Sequence, residues 1–239
     1  MHKVFITNVA QYTGPGIMKV LKSKGYHLIC HDSSFSCEAT RLAFEKEHDV
    51  QCLSLQSPSS LIDYIKNETD LFRFVVNDVH PNQPKPFDEI DSAELESAFD
   101  ALVLFPFALS KGIFSMLRQQ KRGHLLFITS ARQLQPEPGF AVATTVRSAA
   151  TAMAMSLSRE AAPLGIQVNV LQPNYLYSEM YYPKSHFIES EEGRSEIAAK
   201  VPMGRLGRPE ELGELAELLI SGRSSFTTGQ VINFTGGWP

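Results

Sequence analysis

The chain lacks the features that identify secreted, nucleic-acid-binding or membrane proteins. Three cysteines at spacings unlike a metal site exclude a disulfide framework, and the seven scattered histidines offer no metal pair. A net charge of −4 leaves no basic surface for a nucleic acid. The first residues pass into a strand pattern without the apolar core of a signal peptide, and no apolar run reaches the roughly 18 residues of a membrane span. We therefore expect a cytoplasmic protein with neither nucleic acid nor membrane as a partner.

Short, apolar, β-branched segments alternate with helical patterns along all 239 residues. Parallel strands that are buried on both faces have this continuous apolar character, and the first is predicted over Lys3–Asn8. No repeat or change in composition divides the chain, and Pro106 should kink or interrupt the one long helical region around it. The pattern predicts a single α/β domain over residues 1–239. We expect a Rossmann-like, doubly wound parallel sheet of about seven strands with helices on both faces.

The turn between the first strand and the first helix decides whether a dinucleotide binds. Such a turn needs glycines where the pyrophosphate approaches the backbone at the helix N-terminus. Gly14 and Gly16 are present, but Tyr12 occupies the turn and Pro15 removes a backbone donor. Asp32, at the end of the second strand, is a candidate either for a ribose hydroxyl or for a helix cap. The degraded glycine pattern favours a site without a cofactor.

Ser130 and Arg147 flank a loop that is rich in proline and glycine. Ser130 ends the fifth predicted strand, and Arg147 lies near the start of the next helix. Ligands of open α/β sheets bind outside the carboxyl ends of the strands, so both side chains can point into one cleft. Taken singly, a serine here caps a turn and an arginine is a solvated or paired surface residue. Only together do they indicate a catalytic site.

Four tyrosines within eight residues follow the sixth strand, directly after Pro173 and Asn174. A proline after the strand and an asparagine in the turn leave backbone N–H groups free, and such groups form a nest for small anions. Aromatic edges carry partial positive charge and suit a large, soft anion such as chloride or bromide. The loop is therefore a halide site, a mobile lid over a substrate, or a segment whose aromatic residues serve packing alone.

These motifs make the chain resemble the halohydrin dehalogenases, a branch of the short-chain dehydrogenase/reductase superfamily. The superfamily is indicated by the strand order and by three segments, VVND (75–78), FITS (127–130) and TGQVINFTGGWP (228–239). Thr7 and Tyr12 match the branch's replacement of the nucleotide-binding glycines by an aromatic residue. Gln172–Glu179 matches its halide loop, and Ser130 and Arg147 match the spacing of its Ser-Tyr-Arg triad.

The resemblance implies a cofactor-free lyase that closes epoxides from vicinal halohydrins and opens epoxides with azide, cyanide or nitrite. In the family a serine holds the substrate oxygen, a tyrosine takes the hydroxyl proton, and an arginine lowers the tyrosine pKa. Ser130 and Arg147 match the first and third of these roles. The resemblance assigns halide and substrate contacts to Thr7, Tyr12, Pro173, Asn174, Tyr175, Leu176 and Tyr182. Its implied partners are a small halohydrin or epoxide, and a halide or similar anion.

The triad's tyrosine is missing from this sequence. Ala143 stands at its position, thirteen residues after Ser130 and four before Arg147. A methyl group cannot accept a proton, so activity should be low or absent. Three explanations remain open: an engineered loss of the base, natural loss or replacement of the activity, or a substitute base such as Tyr175, Tyr177 or a water.

Two other functions fit the fold. An NAD(P)-dependent oxidoreductase of the superfamily is one, although Arg147 stands where a Tyr-x-x-x-Lys motif has its lysine. A non-catalytic binding protein that keeps the fold and the anion pocket is the other. The superfamily also implies a homo-oligomer, usually a tetramer, packed through the long helices that contain residues 98–117 and 147–162.

Overall fold

In the computed structural model, which describes residues 2–77, 79–80 and 83–239, seven parallel strands form one sheet. The strands are β1 (Lys3–Ile6), β2 (His27–His31), β3 (Gln51–Leu53), β4 (Leu71–Val76), β5 (Gly123–Ile128), β6 (Ile166–Pro173) and β7 (Val231–Phe234). Asp78 of the VVND motif, together with Pro81 and Asn82, lies outside the described residues. The predicted seven-stranded α/β domain is confirmed.

Helices connect the strands. They are α1 (Gly14–Ser23), α2 (Glu38–His48), α3 (Pro58–Lys66), α4 (Ser92–Phe99), α5 (Phe105–Gln120), α6 (Ala141–Ala161), α7 (Lys184–Phe187), α8 (Glu191–Lys200) and α9 (Pro209–Ser221). The strand order is β3-β2-β1-β4-β5-β6-β7, so the winding reverses between β1 and β4. Because all strands are parallel, the segments that follow β1, β5 and β6 meet at one carboxyl edge, where ligands of such sheets bind.

The core lies on both faces of the sheet because successive side chains of a strand point in opposite directions. Val4 and Ile6 pack on the side of α1 and α9, whereas Phe5 packs on the side of α3, α5 and α6. Helices α1 and α9 approach closely at Gly16, where an added Cβ would lie 2.4 Å from atoms of Pro209. Gly16 therefore serves helix packing in this fold.

Pro106 interrupts its helix as predicted. Between α4 and α5 the backbone widens into a π-helical segment, Asp100–Leu104, directly before the proline. A proline has no N–H to donate, and its ring displaces the carbonyl four residues earlier. A local change of helical pitch accommodates both effects without breaking the helix.

The stretch Ser92–Gln120 is, by length and composition alone, apolar enough to cross a membrane. When only uninterrupted apolar runs are considered, the sequence predicts no such stretch. This stretch is apolar on average but is interrupted by charged residues such as Asp100 and Lys111. A helix packed against a sheet has the same composition, and here α5 contacts α3, where the Ile62 side chain lies against Gly112. The apolar composition of this stretch is therefore consistent with the packing of α5 against α3.

Candidate active site

A cleft of about 450 Å³ opens at the carboxyl edge of the sheet. Its wall includes six residues that the sequence had singled out: Tyr12, Ser130, Arg147, Asn174, Tyr175 and Tyr182. Four others lie behind that wall, namely Thr7, Ala143, Pro173 and Leu176. The β1–α1 turn, the end of β5, the start of α6 and the loop after β6 therefore meet in one place.

Ser130 combines a structural role with a place in the cleft. Its Oγ accepts a hydrogen bond from the Arg132 N–H at 3.2 Å and so caps the short helical turn Ala131–Leu134. The hydroxyl also lies 3.5 Å from the Pro173 carbonyl, a contact too long to hold its proton firmly. The hydroxyl proton of Ser130 is thus available to an oxygen in the cleft.

Arg147 enters the cleft from α6, and its Nη2 donates to the His80 carbonyl at 3.3 Å. Ala143 lies one turn earlier on the same helix and is 4% exposed. Residues four apart share a helix face, so a longer side chain at position 143 would lie next to Arg147. The helix therefore keeps the geometry of a tyrosine-arginine pair without the tyrosine.

A buried hydrogen-bond network fixes α6 against the strands beneath the cleft. Gln172 Nε2 donates to Thr129 Oγ1 at 3.1 Å and to Thr151 Oγ1 at 3.0 Å. The Thr151 hydroxyl in turn donates to the Arg147 carbonyl at 2.8 Å. These bonds join β5, β6 and α6, so the positions of Ser130 and Arg147 are set by one connected unit.

The loop after β6 uses more of its backbone donors internally than the sequence predicts. The Asn174 N–H donates to the Phe234 carbonyl, and the Tyr175 N–H donates to Asn174 Oδ1 at 3.0 Å. Tyr175 adopts a left-handed conformation with φ of 51°. Leu176 bridges to Gly207 in parallel, and its own N–H donates to no protein acceptor within the described ranges. One donor of the predicted anion nest is therefore open.

Aromatic side chains surround that loop. Tyr12 and Tyr181 meet edge to face at 5.4 Å between centroids, and Tyr175 lies 5.6 Å from the ring of Trp238 and 5.9 Å from that of Tyr182. Burial raises the pKa of Tyr175 above its usual value and raises that of Tyr182 to about 12. These two phenols therefore stay protonated and present polar edges to the cleft.

The β1–α1 turn uses several of its own backbone donors. The N–H groups of Val9, Gln11 and Gly14 already donate to protein carbonyls, and that of Ala10 donates to an Asp32 carboxylate oxygen at 3.0 Å. The Asp32 carboxylate is fully buried and also accepts from Ser34. Both carboxylate oxygens of Asp32 therefore accept hydrogen bonds from the protein, Oδ2 from Ala10 and Oδ1 from Ser34. Tyr12, with φ of 50°, faces the cleft where a pyrophosphate would approach.

Asn77 holds this turn closed from β4. Its Nδ2 donates to the carbonyls of Asn8 at 2.9 Å and Gln11 at 3.1 Å, and its Oδ1 accepts from the Thr13 hydroxyl at 2.6 Å. Its N–H donates to the Thr7 hydroxyl at 2.9 Å, and Thr7 is fully buried. Thr7 therefore supports the turn from behind the cleft wall.

Replacing Asn77 by alanine should lower the free energy of unfolding by about 2–4 kcal/mol, because three hydrogen bonds are lost and their buried partners are left unpaired. Urea unfolding followed by circular dichroism measures this change. Asn67→Ala is a matched control, since the exposed Asn67 side chain makes one bond to the Asp63 carbonyl. Equal losses in the free energy of unfolding for Asn77→Ala and Asn67→Ala would contradict the role of Asn77 in holding the turn.

Two cleft residues were not recognised as functional from the sequence. Arg132 and Glu137 form an ion pair on the cleft wall, and the Arg132 guanidinium lies 4.0 Å above the ring of Phe140. The sequence offered one signal for them, a Pro-Glu-Pro-Gly run that predicts a tight turn.

Among the described residues no group of three histidine, cysteine, aspartate or glutamate side chains could hold a metal ion.

Comparisons with known proteins agree with this geometry. A family model described as enoyl-(acyl carrier protein) reductase matches residues 14–239. A halohydrin dehalogenase (HheC) bound to ethyl (2S)-oxiran-2-ylacetate superposes with a TM-score of 0.94 at 31% identity, over 99% of this chain and 97% of that one. A structure described as a dehalogenation enzyme gives 0.93 at 28% identity, over 100% of this chain and 98% of that one. An uncharacterized oxidoreductase, YmfI of Bacillus subtilis, is 25% identical over 98% of this chain and 97% of its own length.

A match across nearly the whole chain, in both sequence and structure, is sufficient to establish the family. The superposition on the two dehalogenase structures extends over 99–100% of this chain, so it includes the whole seven-stranded sheet. The chain belongs to the short-chain dehydrogenase/reductase superfamily, within the family whose model is described as enoyl-(acyl carrier protein) reductase.

Proposed function

We propose that this protein is a halohydrin dehalogenase-like lyase that acts without a cofactor. The observation that carries the proposal is the β1–α1 turn, in which Tyr12 borders the cleft and the N–H groups of four residues (Val9, Ala10, Gln11 and Gly14) are used by internal hydrogen bonds. The high similarity to a halohydrin dehalogenase structure, at 31% identity, supports it. Its substrates are small vicinal halohydrins and, in reverse, epoxides with a small anion.

The cleft contains a hydrogen-bond donor for the substrate oxygen, a candidate halide site and a positive charge. The Ser130 hydroxyl donates a hydrogen bond to the substrate oxygen, while that oxygen forms a bond to the neighbouring carbon and the carbon–halogen bond breaks. The leaving halide is received at the loop after β6, where Tyr175 and Tyr182 border the cleft and the buried Leu176 N–H behind them has no protein acceptor among the described residues. Arg147 places a positive charge next to position 143. With alanine there, the reaction lacks the family's proton acceptor and should be slow.

A second candidate function is nicotinamide-dependent reduction. It is favoured by the names of the curated relatives, which include an NADPH-dependent reductase, BacG of Bacillus subtilis, at 23% identity over 98% of this chain. For this candidate the β1–α1 turn would have to accept a dinucleotide beside Tyr12, while Asp32 and four of the turn's N–H groups are bound internally. A cofactor titration separates the two functions.

The chain's single tryptophan provides the test. Trp238 is 9% exposed and lies 5.6 Å from the Tyr175 ring, next to the proposed halide site. We expect bromide to quench Trp238 emission along a saturating curve, whereas sodium acetate at equal ionic strength leaves it unchanged. NADPH should produce no energy transfer from Trp238. Transfer to NADPH combined with a purely linear bromide response would instead favour the reductase.

Association into oligomers is part of the same proposal. Three large apolar side chains of the Ser92–Gln120 stretch are more than a third exposed: Leu95, Leu104 and Phe107. Isolated apolar residues on a surface are ordinary, but a row of them along one helix is typical of an interface. A second copy that packs on this helix would cover them.

A further inference from the structure

The cleft contains a salt bridge that the proposed reaction does not yet use. Glu137 and Arg132 lie on the cleft wall together with Ser130 and Arg147. Arg132 connects the carboxylate to the serine, since its backbone N–H donates to Ser130 Oγ and its guanidinium pairs with Glu137. Arg132 thus contacts both the Glu137 carboxylate and Ser130, the residue proposed to hold the substrate oxygen.

The backbone fixes Glu137 in this place. A β-turn runs from Glu137 to Phe140, closed by a 3.3 Å bond from the Phe140 N–H to the Glu137 carbonyl. Pro138 follows at the second position and Gly139, with φ of 85°, at the third, which is the pattern of a type II turn. The Gly139 carbonyl accepts from the Lys85 N–H at 3.0 Å, so a second segment holds the turn.

The side chain of Glu137 retains a free oxygen. Oε2 pairs with Arg132, whose guanidinium is held in turn over the ring of Phe140. Oε1 accepts no hydrogen bond from any protein donor in the described part of the chain. A carboxylate with one anchored and one open oxygen is oriented and still able to accept a proton.

The phenols that the sequence offered as substitute bases are poorly suited to the role. Burial raises the pKa of Tyr175, and a hydrogen bond to Glu179 raises that of Tyr177. A raised pKa means that the phenolate is scarce near neutral pH. Glu137 instead presents a carboxylate oxygen that has no protein donor among the described residues, in a position fixed by its pair with Arg132.

We propose that Glu137 accepts the substrate's hydroxyl proton in place of the missing tyrosine. This inference rests on the proposed function. The Glu137 carboxylate takes the O–H proton, the oxygen's electron pair forms the new C–O bond, and the halide leaves with the electron pair of the C–halogen bond. The proton then passes from Glu137 to water. The products are an epoxide, a halide ion and a proton.

The experiment measures bromide release from a small bromohydrin by the full chain and five variants, one of which is Ala143→Tyr alone. We expect Glu137→Gln to lower kcat by ~100-fold or more, the range of a lost general base, with bromide affinity unchanged. Glu137→Asp should retain part of the rate. Glu196→Gln is the matched control: its carboxylate borders the same cleft but pairs with His186 at 3.1 Å, so the rate should stay within about twofold.

The fourth variant carries Glu137→Gln together with Ala143→Tyr, and it should recover activity because the new phenol bypasses the carboxylate. This recovery also shows that Glu137→Gln leaves the site folded. The inference is overturned when Glu137→Gln keeps the parent's rate, or when the parent is inactive and Ala143→Tyr alone is active; both results leave the proposed function standing. Absence of bromide release from the parent and from Ala143→Tyr, with no bromide binding, overturns both.

Discussion

In the Glu137→Gln variant, replacing Ala143 by tyrosine is expected to raise bromide release from a small bromohydrin by about 10²–10⁴-fold, the usual contribution of a well-placed general base. The new phenol would lie one helical turn before Arg147, on the same face of α6. A phenol has an ordinary pKa of about 10, and an adjacent guanidinium favours its ionised form. A base whose pKa lies closer to neutral pH than a carboxylate's accepts the substrate proton more effectively.

The control for this gain is Ala143→Phe, which adds the same ring without the hydroxyl. Ala143 is 4% exposed, so both rings must displace neighbours or extend into the adjoining cleft, and both variants should lose similar stability. Thermal unfolding compares that loss between them. A gain in halide release with tyrosine and none with phenylalanine identifies the hydroxyl as the cause. Equal rates in the two variants would contradict the assignment of position 143 to proton transfer.

Acidification from pH 6.5 to pH 4 is expected to remove several kcal/mol of folding stability through two buried histidines. Burial lowers the pKa of His31 to about 4 and, with help from Arg73, that of His124 to about 4. In the unfolded chain a histidine titrates near 6.5. Above that pH both states are neutral and the full stability is present. Below it the unfolded state binds protons that the folded state excludes, so stability falls until about pH 4.

The lowered pKa of His31, which is 3% exposed, corresponds to a loss of about 3 kcal/mol in the free energy of unfolding. The loss through the partly exposed His124 is smaller. His31 has no hydrogen-bond partner for either ring nitrogen among the described residues and stacks on Phe105 at 5.6 Å. His31→Phe keeps a ring there and removes the titration.

Urea unfolding at pH 7.5 and pH 4.5 measures the loss for the parent, for His31→Phe, for His124→Phe and for the double variant. The two histidines lie at opposite ends of their strands, so their effects should add. Each single variant therefore serves as the control for the other. A double variant that loses as much stability between the two pH values as the parent would contradict the assignment.

The local pattern of the sequence was sufficient for the fold. Apolar strand segments alternate with amphipathic helices, and that alternation permits few topologies other than a doubly wound sheet. The placement of Ser130 and Arg147 in one cleft followed from the same pattern, because parallel strands end at one edge. The absence of a hydroxyl at Ala143 is a matter of composition alone and required no structure.

The roles of Asp32, Thr7 and Glu137 could be read only from the tertiary structure. Asp32 lies at a strand end where ribose ligands occur, yet its carboxylate binds Ala10, 22 residues away. Thr7 meets Asn77 across 70 residues, which turns its hydroxyl away from the cleft. Hydrogen bonds over such separations depend on which strands become neighbours, and no periodicity within a segment encodes them.

The sequence by itself determined the sheet, the edge at which a ligand binds and the missing proton acceptor. The tertiary structure decided which polar groups remain open at that edge. In the β1–α1 turn four N–H donors are used by the protein, whereas the Leu176 N–H and one oxygen of Glu137 have no protein partner within the described residues. The physical reason is that a buried polar group must find a partner, and the fold chooses that partner from segments far apart in the chain.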